Sequence, residues 1–495
     1  MEHTDAQKLH IMFLPFMAHG HMIPTIDIAK LFASRGFQVS IVTTSGNAKG
    51  FVETLERTKN SGLPITIIST MFPSKDVGLP EGCENLDAVV AMDHENDLLF
   101  KFLLALSILR DPVEELIRDA KPHCLVADMM FPWATEAAAT YAIPRLAFHG
   151  TCAFSLSMGE CMRFAPPNLL VSSNSESFLI PNLPGEIKFS IKKFNDLQND
   201  DPFHRFLNQC QESWVNCSGV IVNSFYELEP LYAEFYREAS KGKTWYIGPV
   251  SLCNKAGDEK NQRGKQSSIS VSDCISWLSS KNEGSVVYVC FGSMTTLSCE
   301  QLIELAAGIE ASGHNFIWVV GNARKSDTCK NDEDWLPRGF IERTKDRGLV
   351  IRGWAPQILI LEHEAVGAFV THCGWNSALE GISAGVAMVT WPMFADQFGN
   401  EKLLTEVLKV GVPVTEEELE VLKVGVPVTE EELGVVVKAE EIEKAIKRIM
   451  VGEEAREMNL RAKKLAEMAH RAVEVGGSSY CDFESLVNAI KFKQI

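Results

Sequence analysis

The chain has 495 residues, 46% of them hydrophobic and 23% charged, which suits two or three packed domains and excludes a disordered or fibrous protein. Lys plus Arg number 47 against 65 Asp plus Glu, a formal charge of −18. So acidic a chain is not built for nucleic acid, and any phosphate it binds must be held by local donors such as helix N-termini. The 13 cysteines are odd in number and contain no C-x-x-C pair, which predicts neither a disulfide framework nor a zinc site and points to a reducing compartment. The opening M-E-H-T-D-A-Q-K is polar, and Pro15 breaks the apolar run after it. The greasiest stretch, Leu98 to Leu109, contains Lys101 and is too short to span a bilayer. A cytosolic protein without an integral membrane segment is expected.

In chain order, Leu9 to Leu14 reads as a strand, followed by the turn A-H-G-H and a helical pattern from Ile23 to Ala33. Strands are predicted at Phe37 to Val42, Ile65 to Ile68 and Leu125 to Ala127, the last ending at Asp128. Leu98 to Arg118 reads as one long helix and Pro132 to Tyr141 as another. Residues 254 to 272 are polar and read as an exposed linker. A second alternating half follows: strands at Ser285 to Phe291, Phe316 to Val320, Leu349 to Ile351, Ala368 to Thr371 and Ala387 to Val389, with helices at Glu300 to Ala311 and Trp375 to Ala384. Apolar strands alternating with helices predict an α/β protein of two doubly wound, Rossmann-like parallel-sheet domains facing a cleft. The expected division is 1–250, a linker at 251–282, a second domain at 283–475, and a terminal helix at 476–495 packing back on the first domain.

Glu406 to Leu419 reads E-V-L-K-V-G-V-P-V-T-E-E-E-L, and Glu420 to Leu433 repeats it without a change. Two copies do not make a solenoid; a recent duplication is the simpler reading. Thr415 with Glu418 and Thr429 with Glu432 match capping boxes, so the insertion is expected to add a helical turn.

The densest signal is Trp354 to Gln397, W-A-P-Q-I-L-I-L-E-H-E-A-V-G-A-F-V-T-H-C-G-W-N-S-A-L-E-G-I-S-A-G-V-A-M-V-T-W-P-M-F-A-D-Q. Here a strand ends in H-C-G-W-N-S and opens a helix, whose first-turn amides can donate to phosphate with the helix dipole behind them. The whole segment resembles the 44-residue signature of plant family 1 UDP-dependent glycosyltransferases, without a gap. The similarity extends to F-G-S-M-T at Phe291 to Thr295, P-F-M-A-H-G-H-M-I-P at Pro15 to Pro24, V-A-D-M-M-F-P-W at Val126 to Trp133, and G-G-S-S-Y near the C-terminus. It is greatest to the branch that glucosylates flavonoids and triterpenoid or steroid aglycones. The resemblance implies the two-domain GT-B fold.

It also implies a donor site. Trp354 would stack on uracil and the Ala355 backbone would read its edge. Gln357 and Glu380 would hold the ribose; Ser293, His372, Asn376 and Ser377 the diphosphate; Trp375, Asp396 and Gln397 the sugar. A final Gln in the signature goes mostly with UDP-glucose in that family. The acceptor base is a histidine in an H-x-x-P spacing, matched by His21 with Pro24, and Asp128 matches the carboxylate that orients it. His19, Phe16, Met17, Met92, Phe131 and Phe154 are candidate lining of a hydrophobic acceptor pocket. No metal or other cofactor is expected. The D-x-D string Asp332-Glu333-Asp334 lacks a preceding strand and reads as a solvated charge run. The turn A-H-G-H is not G-x-G-x-x-G, which argues against a dinucleotide oxidoreductase. A monomer binding a UDP-sugar and a hydrophobic small molecule is expected, with a catalytically silent UDP-sugar binder as the alternative. One departure is that no Trp follows Trp391, where the family has one in a later loop.

Overall fold

The computed structural model describes residues 9–60, 62–92, 97–164, 177–190, 202–261, 263–321, 336–415 and 436–495. The first half supplies strands β1 (His10–Leu14), β2 (Gln38–Thr44), β3 (Ile65–Thr70), β4 (Cys124–Asp128) and β5 (Arg145–His149). A small antiparallel pair follows, β6 (Ser177–Leu179) with β7 (Lys188–Ser190), and then β8 (Gly219–Val222) and β9 (Thr244–Tyr246). Apart from the pair, these form one parallel sheet in the order β3-β2-β1-β4-β5-β8-β9. The second half adds β10 (Val286–Cys290), β11 (Asn315–Val320), β12 (Gly348–Arg352), β13 (Val366–Thr371), β14 (Ala387–Thr390) and β15 (Gly411–Pro413). They make a second parallel sheet, β12-β11-β10-β13-β14-β15.

Central strands such as β1, β4, β5 and β10 are buried at every position, which requires helices on both faces. Each sheet reverses its strand order beside its first strand, at β1/β4 and β10/β13. Such a reversal opens a crevice at the carboxyl ends of the strands, where ligands sit in doubly wound folds. The registers Leu14↔Ala127 and Cys290↔Thr371 put the segments after those strands side by side. The terminal helix Ser478–Lys491 buries Phe483, Leu486, Val487 and Ile490 against the first sheet's core, beside Ile11, Phe13 and Phe32.

Several expectations are corrected. The stretch read as one long helix is two, Asp97–Ile108 and Arg110–Ala120. Pro112 lacks the N–H that would bond back across Leu109, so the helix is interrupted there. The helix after β1 begins at His19, four residues earlier than its apolar pattern, because His19 and His21 occupy its polar first turn. The linker is not simply exposed: it carries the short helix Gly257–Asn261, and Asn254 and Gly264 are buried. Cys299 is disulfide-bonded, a pairing that the scattered cysteines did not mark. No described helix is long and apolar enough to cross a membrane. Asp332-Glu333-Asp334 and the second copy of the repeat, with the capping partners Glu418, Thr429 and Glu432, lie outside the described residues.

Candidate active site

The first-sheet crevice holds a histidine–carboxylate pair. His21 Nδ1 donates to Asp128 Oδ2 at 2.8 Å, and the Met130 backbone N–H donates to Asp128 Oδ1 at 3.0 Å. Asp128 is fully buried at the end of β4, whereas 28% of the His21 side chain is exposed. This fixes the proton on Nδ1 and leaves Nε2 without a protein partner among the described residues, the arrangement a general base needs. Burial opposes a charge on His21. Asp128, by charge and hydrogen bond, and then Asp396 and Asp87, outweigh it, so the pKa of His21 is raised.

His19 lies two residues away but belongs to a different pair. Its Nδ1 and its backbone N–H both donate to Asp87 Oδ2, at 2.7 and 3.0 Å. Asp87 Oδ1 accepts from Ser293 Oγ across the cleft. Burial would raise the pKa of Asp87, but the bonds from His19 and Ser293 hold it down at about 2. No sequence pattern marked Asp87, which lies in the first turn of the short helix Leu86–Met92 after β3.

The second-sheet crevice builds a cavity rich in polar groups, whose lining includes His19, His21, Ser293, Trp354, Ala355, Gln357, His372, Trp375, Asn376, Ser377, Glu380, Asp396 and Gln397. The sequence-predicted donor residues are therefore brought together, with His21 at their edge. His372 ends β13 between Gly292 and Gly374; a Cβ on either would fall within 2.6 Å of the ring. Burial lowers the His372 pKa to about 4, so at neutral pH the ring is uncharged and carries one N–H donor. The helix Trp375–Ala384 opens behind Gly374 with no side-chain cap, leaving its first amides for a ligand. Gln357 is held from three sides: Tyr288 Oη donates to its Oε1 at 3.2 Å, and its Nε2 donates to Glu380 Oε2 at 2.7 Å and Ser377 Oγ at 3.2 Å.

Two sugar-end residues differ from expectation in detail. The indole N–H of Trp375 donates to the Asn223 carbonyl at 2.7 Å, joining the two sheets' loops, so that N–H is not free for another acceptor. Gln397 Oε1 accepts from the Met393 and Phe394 N–H groups, at 2.8 and 3.1 Å, so its amide presents only N–H donors to the cavity. Asp396 accepts from Thr151 Oγ1 at 2.7 Å and Asn400 Nδ2 at 3.0 Å; burial nonetheless raises its pKa.

A second, mostly apolar cavity opens on the other side of Asp396, lined by Leu156, Met158 and Met162 of the helix Ala153–Phe164, by Trp214, and by Phe398. His149 also lines it, neither ring nitrogen hydrogen-bonded among the described residues, its pKa driven down to about 3 by burial. None of the six candidate acceptor residues lines this cavity. Phe16, Met17, Phe131 and Phe154 are at most 2% exposed and packed in the sheet–helix cores, Met92 is 43% exposed at the surface, and His19 is on the polar side. Phe16 still abuts the base, edge-on to His21 with ring centroids 5.1 Å apart.

The profile of the family "UDP-glucoronosyl and UDP-glucosyl transferase" matches residues 246–427. UDP-glycosyltransferase 73B4 of Arabidopsis thaliana is 49% identical over 98% of this chain and 99% of its own. The scopoletin glucosyltransferase of Nicotiana tabacum is also 49% identical, over 98% of both chains. The chain belongs to the plant family 1 UDP-dependent glycosyltransferases. The crystal structure of Glycyrrhiza uralensis UGT73P12, complexed with glycyrrhetinic acid 3-O-monoglucuronide, superposes with a TM-score of 0.87 at 39% identity, over 98% of this chain and 96% of that one. This glycosyltransferase therefore has the GT-B fold.

Proposed function

We propose that the enzyme transfers glucose from UDP-glucose, with inversion, to a hydroxyl of a hydrophobic plant secondary metabolite. The observation that carries this reading is the meeting of the two cavities at Asp396, beside the His21–Asp128 pair. An acceptor in the apolar cavity would present its hydroxyl to His21 Nε2. That nitrogen takes the proton as the oxygen attacks the anomeric carbon, the bond to the diphosphate breaks, and UDP departs; an α-linked donor gives a β-glycoside. Asp128 balances the imidazolium that forms. Trp354 would stack on uracil, Glu380 and Gln357 would take the ribose diol, and Asp396 with the Gln397 N–H groups would take the sugar hydroxyls. The amides opening the helix at Trp375, with Asn376 and Ser377, and the neutral His372 would stabilise the leaving diphosphate; the Ser293 hydroxyl, which donates to Asp87, would have to turn from it to join them. A metal ion is not needed in this scheme, so EDTA should leave the rate unchanged.

The scopoletin glucosyltransferase and the flavonoid 3-O-glucosyltransferase of Fragaria ananassa, 49% identical, support glucose and a flat phenolic acceptor, while the glucuronide in the Glycyrrhiza structure makes UDP-glucuronate the natural competitor. All the groups named lie on one chain, so a monomer suffices. The test is a competition of equal UDP-glucose, UDP-galactose and UDP-glucuronate across phenolic and triterpenoid acceptors, with products identified by mass. Preference for either of the latter two donors overturns the glucose assignment; no turnover with any pair overturns the catalytic reading in favour of a silent binder.

A further inference from the structure

The segment between the two sheets is fastened inside the donor cleft by Arg263. Its Nε donates to Asp27 Oδ2 at 2.6 Å and its Nη1 donates to Glu380 Oε1. The Arg263, Asp27 and Glu380 side chains are 8%, 2% and 8% exposed, so these charges are out of bulk water and must match one another. Lys30 Nζ, 3.9 Å from Asp27 Oδ1, makes the cluster two cations and two carboxylates. Burial disfavours the charged guanidinium, yet Asp27 and Glu380 more than offset it and raise its pKa. Asp27 lies on the helix His19–Ser34 and Glu380 on the helix Trp375–Ala384. One guanidinium thus ties the helix that carries His21 to the helix that opens at the diphosphate end.

The chain after Arg263 is equally fixed. Gly264 has φ +100°, and a Cβ there would lie 2.5 Å from Trp354 Cζ2. The Ser268 N–H donates to the Trp354 carbonyl at 2.8 Å, and Ser268 Oγ accepts the Trp354 N–H at 2.9 Å. The segment therefore leans on Trp354 while Arg263 reaches Glu380.

We propose that Arg263 is a positioning residue for the sugar-nucleotide donor: its planar fork orients the Glu380 carboxylate toward the ribose diol. The proposal rests on the donor reading above. A carboxylate offers about four acceptor sites. Arg263 takes one at Oε1 and Gln357 one at Oε2, which leaves one on each oxygen, a match for two vicinal hydroxyls. The terminal torsion of a glutamate is otherwise broad, so without the fork the carboxylate can turn away from the diol.

Calorimetric titration of UDP and of 2′,3′-dideoxy-UDP, which lacks both ribose hydroxyls, separates orientation from general support. Wild type should prefer UDP by about tenfold or more. In Arg263→Gln that preference should fall toward unity, with affinity for the dideoxy nucleotide changed by less than about threefold and acceptor KM unchanged. Arg263→Lys keeps the charge but not the fork, so it should fall between, and it carries the test if the Gln variant does not fold. A preference preserved in both variants, or both nucleotides weakened equally, overturns the proposal. Wild type that binds neither nucleotide overturns the donor reading and the proposal with it; wild type that binds both equally removes Glu380 from ribose recognition whatever the arginine does.

Discussion

The two cavities that meet at Asp396 are built by opposite means. On the proposed donor side, one contiguous segment, Trp354 to Gln397, supplies nearly half of the wall, and hydrogen bonds lock its side chains in place, as Gln357 is held by Ser377 and Glu380 of the same segment and by Tyr288 of β10. On the acceptor side the wall is apolar and comes from separate pieces: the helix Ala153–Phe164, Trp214 at the end of Pro202–Val215, and Phe398 after β14. A nucleotide diphosphate is a fixed ligand with many polar atoms, so a polar wall can be specified residue by residue. An aglycone is mainly surface to be covered, and covering surface constrains volume more than residue identity. The comparison predicts that donor-side substitutions act on nucleotide binding or chemistry, and acceptor-side substitutions on the acceptor alone.

The largest effects should fall where the two sides meet. His21→Ala should lower kcat by about 10²–10⁴-fold with UDP affinity unchanged. Because the His21 pKa is raised in the folded protein, the base is lost by protonation as pH falls through that raised value, and activity should drop on the acid side. Asp128→Asn removes the main group that raises it, so its residual activity should show the acid limb displaced to lower pH. An unmoved limb in a pH–rate profile would mean that the limb does not report His21. If His19→Ala rather than His21→Ala abolishes turnover, the roles of the two histidine–carboxylate pairs are exchanged.

Next comes the donor wall alone. Glu380→Ala should weaken UDP by roughly 10–100-fold in a binding titration, the scale of a hydrogen bond to a charged group, with acceptor KM unaffected.

This asymmetry also decided what could be read from the chain. Parallel strands buried on both faces show as apolar runs, so β1–β4 and β10–β14 were legible from composition and period, while β5, β8, β9 and β15 were not; the donor residues were legible through the family signature that Trp354 to Gln397 resembles. The acceptor wall was not. Phe131 and Phe154 are apolar residues beside strand ends, like many that line pockets, yet both are fully buried in sheet–helix packing. Met158 and Trp214 look no different in sequence and line the cavity. Periodicity reports that a side chain leaves water, not whether a neighbour or a ligand covers it. Arg263, Asp87 and Thr151 escaped for another reason: each acts on a partner more than 100 residues away, across the cleft or from the polar segment between the sheets.

A smaller effect tests the acceptor side. Met158→Trp should fill the apolar cavity and lower kcat/KM for a four- or five-ring acceptor by about tenfold or more, on the scale of a few methylene groups. UDP-glucose KM should stay within about twofold. A matched loss with a single-ring phenol would mean that the substitution disturbs the site as a whole rather than its volume.

The smallest effect concerns the duplicated segment, none of whose described residues lines either cavity. The first copy is part of the fold: it contains β15, and Val410, Val412 and Val414 are buried. The chain is next described at Val436, where Val437 is buried and bonded through its N–H and carbonyl to Gln301. The two ends lie close together, because one carboxylate serves both: Glu441 Oε1 accepts from Thr415 Oγ1 at 2.5 Å and its Oε2 from the Lys438 N–H at 3.3 Å. Deleting Glu420 to Leu433 shortens the 416–435 connection from roughly 20 residues to about 6, ample for neighbouring ends. Because the copies are identical, deleting either gives the same chain, so no choice of copy can disturb β15. Each doubling of a closed segment costs only about 0.6 kcal/mol, so the deletion should stabilise the protein by about 1 kcal/mol. On a domain of this size that is a rise of about 2–4 °C in Tm, with kcat and both KM values unchanged. A fall in Tm of several degrees would show that the second copy makes contacts of its own, and a changed UDP-glucose KM would connect the segment to the donor wall.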